Sequence, residues 1–518
     1  MTQSVFIKST FILTIATLLS KVLGSIFRIP LQNIAGDEVL GIFSLVYPVY
    51  MVALILSVAG IPLAISKLIA EARANNEASA IKEIHMTASI LGLLFGVVSF
   101  TIIYSFLSPI ANLLGGPTTE LALITVAATL LVAPYMAVYR GFFQGFGNMG
   151  PTAVSQVIEQ VVRVGLILVA AYIFVMKNYS DEIIAGGIMI GSVIGALSSL
   201  LYLRRKYKRT NFNLPIAKKF SFRIFKGWSI KILKVSIPIA IGSITMALLN
   251  FVDSFTVSYG LRSAGAETSD VNYLYGIYGR GLSLVQIATV FATSIVLPLV
   301  PLISAKLAAR DINGTRTVLE KTHWLTHLIS WPAAFGLLGL TLPLNLALFT
   351  NLEGSTMLAI IGFSSVFTSL TVLSTGILQG INSATTGAVI ILCGVVIKTV
   401  MNIYFIRLYG LDGAAFSTLL VYIVLFVMNT LYIYKQIQFT IINSETFKMI
   451  FSSIIMGAII GLPTIYFNID DWNRTQSFSY VIAAIVFGAI LYLVQLYFFK
   501  VIKKDTVKDI PFLNKVMK

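Results

Sequence analysis

Runs of apolar residues about as long as a bilayer is thick constrain this chain more than any other feature. A helix needs about twenty apolar residues, at 1.5 Å rise each, to cross the hydrocarbon core, and such runs follow one another from residue 6 to residue 499. Only 11% of the 518 residues are charged, whereas soluble domains carry roughly 25%. Too little polar surface remains for water, so we predict an all-α polytopic membrane protein.

About fourteen transmembrane helices are predicted. The first run is too long for the core of a signal peptide and has no small-residue cleavage site after it, so it is counted as a span. The predicted spans lie at 6–29, 41–69, 84–107, 118–139, 152–175, 183–203, 235–260, 276–302, 325–349, 355–378, 385–406, 411–434, 446–468 and 477–499.

Lys and Arg are divided very unevenly between the two sets of loops. If both termini lie on the same side, 28 of the 37 basic residues fall in segments on that side and four in the opposite loops. Basic loops stay in the cytoplasm, so we predict that both termini are cytoplasmic. The net charge of +16 is spread over short loops and tails, which favours anionic membrane lipids over nucleic acid as partners.

The longest loop, 204–234, carries eleven Lys or Arg and no acidic residue. Its later part, 218–228, mixes cations with aromatic side chains, as an amphipathic helix at a membrane surface does. We expect this loop to anchor the topology on anionic headgroups. Recruitment of a substrate is the alternative.

An internal repeat divides the chain. Residues 141–163 align without a gap with residues 376–398, and Arg163 meets Lys398. Two copies of six spans have the same orientation, so we expect them to rock about a central site. The predicted domains are an N-lobe at 1–205, a basic cytoplasmic loop at 206–234, a C-lobe at 235–440, and spans 13 and 14 with a basic cytoplasmic tail at 441–518.

Some ionisable residues fall within predicted spans, where a charge costs about 2.5 to 3.5 kcal/mol at the bilayer centre and normally faces a cavity or a partner. They are Lys21, Arg28, Glu159, Arg163, Asp253, Arg280 and Lys398. Glu159 and Arg163 are four apart, which predicts an intrahelical ion pair. Lys21 and Arg28 are seven apart, which predicts a shared helix face, although snorkelling to the interface is the alternative for Arg28 and also for Arg280. Their summed charge of +3 predicts a cavity that favours anions.

The chain offers little for enzymatic chemistry. Gly145-Phe-Gly-Asn-Met-Gly150 matches a dinucleotide-binding pattern, but it joins two predicted membrane helices. His323 and His327 lack the intervening Glu of a zinc-protease motif, and Cys393 is the one cysteine, which excludes an internal disulfide. No loop is long enough for a catalytic domain, so we predict a transporter without a cofactor.

Three segments carry motifs: Ser20-Lys-Val-Leu-Gly24 followed by Arg28, Tyr275-Gly-Ile-Tyr-Gly-Arg280, and Arg140-Gly-Phe-Phe-Gln-Gly with residues 151–163. Together they resemble the polysaccharide exporters and lipid II flippases of the multidrug/oligosaccharidyl-lipid/polysaccharide (MOP) superfamily. The first segment resembles the first-helix signature of that group, with Lys21 in place of the usual Arg, and the second resembles its eighth helix. The third is similar to the stage V sporulation protein B branch.

The resemblance implies a V-shaped fold of two six-helix lobes around a cavity, in a bacterial plasma membrane. It implies that Lys21, Arg28 and Arg280 bind the pyrophosphate of an undecaprenyl-linked sugar, such as lipid II, which a monomer flips to the outer leaflet by alternating access. The further cavity or coupling candidates are Glu159, Arg163, Asp253, Lys398 and Asn402.

The resemblance also raises the question of whether transport is coupled to sodium. Some relatives bind this ion through a seventh-helix aspartate, a place that Asp253 fits, but span 11 offers Lys398 and Asn402 and no carboxylate. We therefore hypothesise that the Lys398 ammonium lies beside Asp253 in place of the ion, and the membrane potential and H⁺ are the other coupling candidates. The alternative functions are a drug or organic-cation antiporter, a polyprenyl-phosphate glycosyltransferase and a non-transporting scaffold for envelope assembly.

Overall fold

The computed structural model describes residues 3–58, 60–210, 212 and 221–502. Over these ranges the chain forms seventeen α-helices and three short 3-10 helices, and no described residue is in a β-strand, which confirms the predicted all-α class. The α-helices are α1 Gln3–Ile26, α2 Arg28–Val58, α3 Ile61–Ala74, α4 Ala78–Ser105, α5 Leu107–Leu113, α6 Glu120–Ala127, α7 Ala133–Gly145, α8 Gly150–Met176, α9 Asp181–Arg209, α10 Phe222–Ser263, α11 Thr268–Ala308, α12 Ile312–Gly339, α13 Thr341–Phe349, α14 Ser355–Gly380, α15 Ala384–Gln436, α16 Ser444–Tyr466 and α17 Arg474–Phe498.

Ten helical segments of the described chain are long and apolar enough to cross a bilayer, or eleven if the pair α12 and α13, bent by 77°, counts as one broken span. Two segments, Leu13–Ala74 and Ala384–Gln436, are 62 and 53 residues long. Each contains a glycine with positive φ, Gly36 at 83° and Gly410 at 57°, which lies between two predicted spans. Glycine adopts this conformation at no steric cost, so the backbone changes direction there. The predicted number of fourteen spans stays a prediction.

The helices pack into two compact units, each of which is described by itself. The first unit comprises Met1–Gly279 with Ile391–Gly410, and the second comprises Arg280–Ile390 with Leu411–Lys518. The helices α11 and α15 therefore contribute to both units. The lobe boundaries drawn from the repeat stay a prediction.

Glycines let helices of the first unit approach closely. A Cβ on Gly195 of α9 would lie 2.7 Å from the backbone oxygen of Glu159 in α8. A Cβ on Gly41 of α2 would overlap the backbone oxygen of Asn272 in α11. Small residues at such contacts are typical of membrane proteins, because backbone packing replaces the hydrophobic driving force that lipid does not supply.

The second unit is held together by packing of α12 against α16 and by a hydrogen bond between α17 and α12. A Cβ on Gly339 of α12 would lie 2.5 Å from the backbone oxygen of Gly457 in α16. The Tyr492 hydroxyl donates to the Leu328 carbonyl at 3.0 Å, which joins α17 to α12. These contacts hold the last two helices against the rest of the unit.

Segments predicted to lie on the same side of the membrane contact one another. The Arg262 guanidinium, at the end of α10, donates to the Asn112 carbonyl at 2.6 Å, and both residues lie in predicted outer loops. The Trp228 indole N–H donates to the Glu83 carboxylate at 3.0 Å, and both lie in or beside predicted cytoplasmic segments. Residues 213–220 of the basic loop and residues 503–518 of the basic tail lie outside the described residues.

Candidate functional site

Two arginines of the first unit share one aromatic ring. The guanidinium carbon of Arg28 lies 5.7 Å from the centroid of the Tyr47 ring, and that of Arg163 lies 5.8 Å from the same centroid. Arg28 also lies 5.5 Å from the centroid of the Phe43 ring. An arginine over an aromatic face is stabilised by about 0.5 to 2 kcal/mol, so the rings hold two cations that would otherwise repel each other.

Donor groups of these arginines remain unused. The Nε atoms of both Arg28 and Arg163 are buried and have no hydrogen-bond partner among the described residues. A buried donor without an acceptor costs about 1 to 3 kcal/mol or more when charged. An anion with several oxygen atoms would satisfy such donors, because guanidinium groups bind carboxylate and phosphate oxygens with short, charge-assisted hydrogen bonds.

Close helix packing positions this arginine cluster. The helix α8 carries Arg163, and a Cβ on Gly24 of α1 would lie 3.7 Å from Arg163 Nη2. Arg28 is the first residue of α2 and directly follows Phe27, whose backbone keeps helical hydrogen bonds to Leu23 and Leu31. Lys21 is exposed, whereas Arg28 is 4% exposed, and the expected shared face of Lys21 and Arg28 stays a prediction.

The prediction of an ion pair between Glu159 and Arg163 is wrong. The Glu159 carboxylate instead accepts from Arg140 Nη2 at 2.6 Å. Arg140 further donates to the hydroxyls of Ser155 at 3.0 Å and Ser199 at 3.1 Å. The physical reason is the hairpin of α7 and α8, which brings Arg140 beside the first turns of α8 and leaves Arg163 to the Tyr47 ring.

A second charged cluster surrounds Asp253 of α10, whose side chain is fully buried. Lys398 Nζ donates to Asp253 Oδ2 at 2.7 Å, and the Tyr278 hydroxyl donates to the same oxygen at 3.1 Å. Asn402 Nδ2 donates to Asp253 Oδ1 at 2.9 Å and to Thr256 Oγ1 at 2.7 Å. Both carboxylate oxygens are therefore hydrogen-bonded, which buried charge requires.

Arg280 belongs to the second unit and is fully buried. Its Nη1 donates to the side-chain oxygens of Asn345 at 3.2 Å and Asn351 at 2.7 Å. Its guanidinium carbon lies 5.3 Å from the centroid of the Phe349 ring. The bend between α12 and α13 brings these three partners to Arg280. Its expected role in substrate binding stays a prediction.

Sequence reasoning missed several residues of these clusters. Arg140 lies next to a predicted loop and therefore does not count among the charges within the spans, although it lies five residues before the end of α7 and contacts Glu159 of α8. Tyr47 and Tyr278 carry no charge, so a search for charged residues in the spans does not find them. For Tyr278 the available signal is its place two residues before Arg280 in the eighth-helix motif, whereas the sequence around Tyr47 supplies no such cation.

The described helices and their buried charges define a class, the multi-pass α-helical membrane proteins. The full-length fold narrows it: a solved structure of the lipid II flippase MurJ in an inward closed conformation superposes with a TM-score of 0.67, covering 95% of this chain and 98% of that one at 16% identity. Two proteins of Bacillus subtilis (strain 168) are similar in sequence. Lipid II flippase MurJ is 27% identical over 88% of each chain, and stage V sporulation protein B is 32% identical over 62% of each chain.

Residues 6–306 match the polysaccharide biosynthesis protein family. This chain belongs to that family, within the MOP superfamily. The predicted resemblance is thereby confirmed, as is the predicted MurJ-like fold.

Proposed function

We propose that this chain is a flippase that moves an undecaprenyl-pyrophosphate-linked sugar, such as lipid II, from the inner to the outer leaflet by alternating access. The observation that carries the proposal is the arginine pair on Tyr47, whose buried Nε donors have no acceptor among the described residues. A pyrophosphate offers several oxygens to such donors. The similarity to the lipid II flippase MurJ supports the same class of cargo.

Lys21 and Arg28 are proposed to receive the pyrophosphate in the first unit, together with Arg163, and Arg280 in the second unit. A negative headgroup moving outward gains about 2.3 kcal/mol per charge for each 100 mV of inside-negative potential. The proposed setting is a bacterial plasma membrane with both termini in the cytoplasm, since most loop Lys and Arg then lie inside. We propose that a single chain is sufficient.

Sodium coupling does not suit the cluster around Asp253. The Lys398 ammonium lies 2.7 Å from the carboxylate, so a cation placed there would meet a like charge. We propose that Lys398 takes the place that an ion would occupy, and that transport is independent of sodium. The membrane potential then remains as the driving force, with H⁺ as the alternative.

A drug or organic-cation antiporter is the second candidate, since a solved structure of a multidrug resistance MATE family transporter shares this fold. Such a carrier needs acidic groups that can meet a cation. In the first unit, Glu159 and Asp253 are already paired with Arg140 and Lys398. The arginine pair on Tyr47 would repel a cation, which favours the flippase over the antiporter.

The decisive experiment is rescue of bacteria depleted of their essential lipid II flippase. We expect this chain to restore growth, and we expect Arg28→Ala, Arg163→Ala and Arg280→Ala to abolish rescue at equal protein levels. The matched control is Arg205→Ala, which removes an exposed arginine at the end of α9. Rescue that survives all three arginine substitutions would place the headgroup elsewhere, and failure of the unaltered chain would remove lipid II as the cargo and leave the non-transporting scaffold as an alternative.

A further inference from the structure

A basic pocket lies between α3 and the first turns of α10, within the first unit. The cavity measures about 430 Å³, and its polar lining includes Lys67, Glu71, Glu77, Trp228, Lys231 and Lys234. No residue of the arginine pair or of the Asp253 cluster takes part in it. The pocket belongs to segments that the loop charges assign to the cytoplasmic side.

The start of α10 packs one apolar face against other helices of the first unit. Ile232 is buried in a cluster with residues of α3 and α4, and Trp228 and Val235 pack against the same cluster. The Trp228 indole N–H is fixed by the Glu83 carboxylate of α4 at 3.0 Å. The helix is therefore docked on α3 and α4 and holds its lysines in place, instead of lying loosely on headgroups.

The lysines of the pocket are arranged to meet an anion. Lys231 Nζ lies 4.3 Å from the centroid of the Trp228 ring, a cation–π contact that restrains the ammonium without using its hydrogen-bond donors. Lys67 is 3.9 Å from Glu71, and both side chains are more than half exposed. Such an exposed pair is weak, so its ammonium is available to a ligand.

The lining also holds two carboxylates, Glu71 and Glu77, beside the three ammonium groups. A bare phosphate would use only the lysines. A phosphodiester that also carries hydroxyl or ammonium donors would use both sets, because carboxylates accept hydrogen bonds. Glycerol and ethanolamine headgroups have such donors, whereas a choline headgroup has none.

The surroundings indicate a lipid and not a soluble phosphate ester. The helix α10 runs without interruption from the pocket into a predicted span. On the way it exposes Ile230 and Ile237, with 55% and 51% of their surface accessible. Apolar side chains beside cationic groups at a helix that enters the bilayer are typical of an interfacial site.

We propose that this pocket binds the phosphodiester headgroup of a glycerol or ethanolamine phospholipid from the cytoplasmic leaflet, with Lys67, Lys231 and Lys234 on the phosphate and Glu71 and Glu77 on the headgroup donors. The bound lipid joins α3 to α10. This site is independent of the proposed cargo, so the two proposals can be tested separately.

The test uses the full-length protein in a neutral detergent, titrated calorimetrically with dihexanoyl-phosphatidylglycerol. The variant Lys231→Gln with Lys234→Gln should bind ~25-fold more weakly, since each lysine contributes ~5-fold. The matched control, Lys206→Gln with Lys208→Gln, removes two exposed lysines of α9 that do not line the pocket and should stay within about twofold. Equal losses in the two variants, or no loss in either, would overturn the site.

Two further probes identify the ligand. Dihexanoyl-phosphatidylcholine, which lacks donors, should bind ~10- to 100-fold more weakly than the glycerol lipid, the value of one hydrogen bond to a charged group. Soluble glycerol phosphate should bind more weakly still, because it lacks acyl chains for the exposed isoleucines. Choline lipid that binds as tightly would overturn the role of the carboxylates, and glycerol phosphate that binds as tightly would overturn the lipid assignment.

Discussion

Lys398 and Asp253, 145 residues apart in the chain, form a 2.7 Å ion pair in which the two side chains are 1% and 0% exposed. A buried pair of this kind is not by itself stabilising, but removal of one partner leaves an uncompensated charge in a low-dielectric interior. The first unit therefore depends on having both residues or neither.

Lys398→Met should lower the free energy of unfolding by about 3 to 5 kcal/mol, because the Asp253 carboxylate loses its counter-charge. The measurement is thermal and denaturant unfolding of the purified protein in detergent. The double variant Asp253→Asn with Lys398→Met should recover most of the loss. A single variant as stable as the unaltered protein would show that the pair is not maintained in solution.

Sodium should not stabilise the unaltered protein. With Lys398 in place, the carboxylate has no room for a second cation, so the unfolding midpoint should be the same in sodium and in choline chloride. In Lys398→Met the carboxylate is open, and sodium should raise the midpoint by mass action. A sodium-dependent midpoint in the unaltered protein would disprove the proposed substitution of an ammonium for the ion.

Arg28→Gln and Arg163→Gln should each slow flipping of lipid II in proteoliposomes by ~10- to 100-fold, the value of one charged hydrogen bond to the pyrophosphate. Any loss of stability should stay within the roughly 0.5 to 2 kcal/mol of the cation–π contact, because each change also removes one of two like charges on the Tyr47 ring. Arg205→Gln, exposed on α9, is the control and should flip normally. Normal flipping by both arginine variants would place the headgroup elsewhere.

Arg140→Gln should destabilise the first unit by about 1 to 3 kcal/mol, since the Glu159 carboxylate loses a 2.6 Å charge-assisted hydrogen bond. Adding Glu159→Gln should restore much of this stability, as seen by thermal unfolding. If the second change gives no recovery, the arginine acts through Ser155 and Ser199 and not through the carboxylate.

Gly41→Ala should cost about 1 to 3 kcal/mol, because its Cβ would overlap the Asn272 backbone, which cannot move like a flexible side chain. Gly165→Ala is the matched control: nothing lies within 4 Å of its Cβ, so this change should be neutral or stabilise the helix by up to about 1 kcal/mol. Equal unfolding midpoints for the two variants would show that α2 and α11 separate easily.

Hydropathy predicts the helices well because each span must satisfy its own backbone hydrogen bonds in lipid. The breaks at Gly36 and Gly410 fall where two predicted spans meet. Residues 222–228 of the amphipathic segment and span 7, in contrast, are predicted as separate pieces and form the single helix α10. Likewise, the bend between α12 and α13 has no signal in composition, since both helices are apolar.

Partner choice among the buried charges is less predictable, since it depends on which helices pack together. The contact between Lys398 and Asp253 was expected from the resemblance and is present. The spacing of four predicts that Glu159 pairs with Arg163, yet Glu159 pairs with Arg140 of the neighbouring helix in the hairpin. The spacing of seven that predicts a shared face for Lys21 and Arg28 does not predict their different burial, since only Arg28 packs against Phe43 and Tyr47.

The separation of 145 residues between Asp253 and Lys398 also sets the order in which the molecule is made. A ribosome adding roughly 5 to 20 residues per second needs about 7 to 30 s to pass from one residue to the other. During that interval the aspartate has been delivered to the insertion machinery and its lysine does not yet exist. The first unit is therefore completed only when residues 391–410 arrive, after much of the second unit has been synthesised, so biogenesis of the N-terminal helices has to tolerate an unfinished interior.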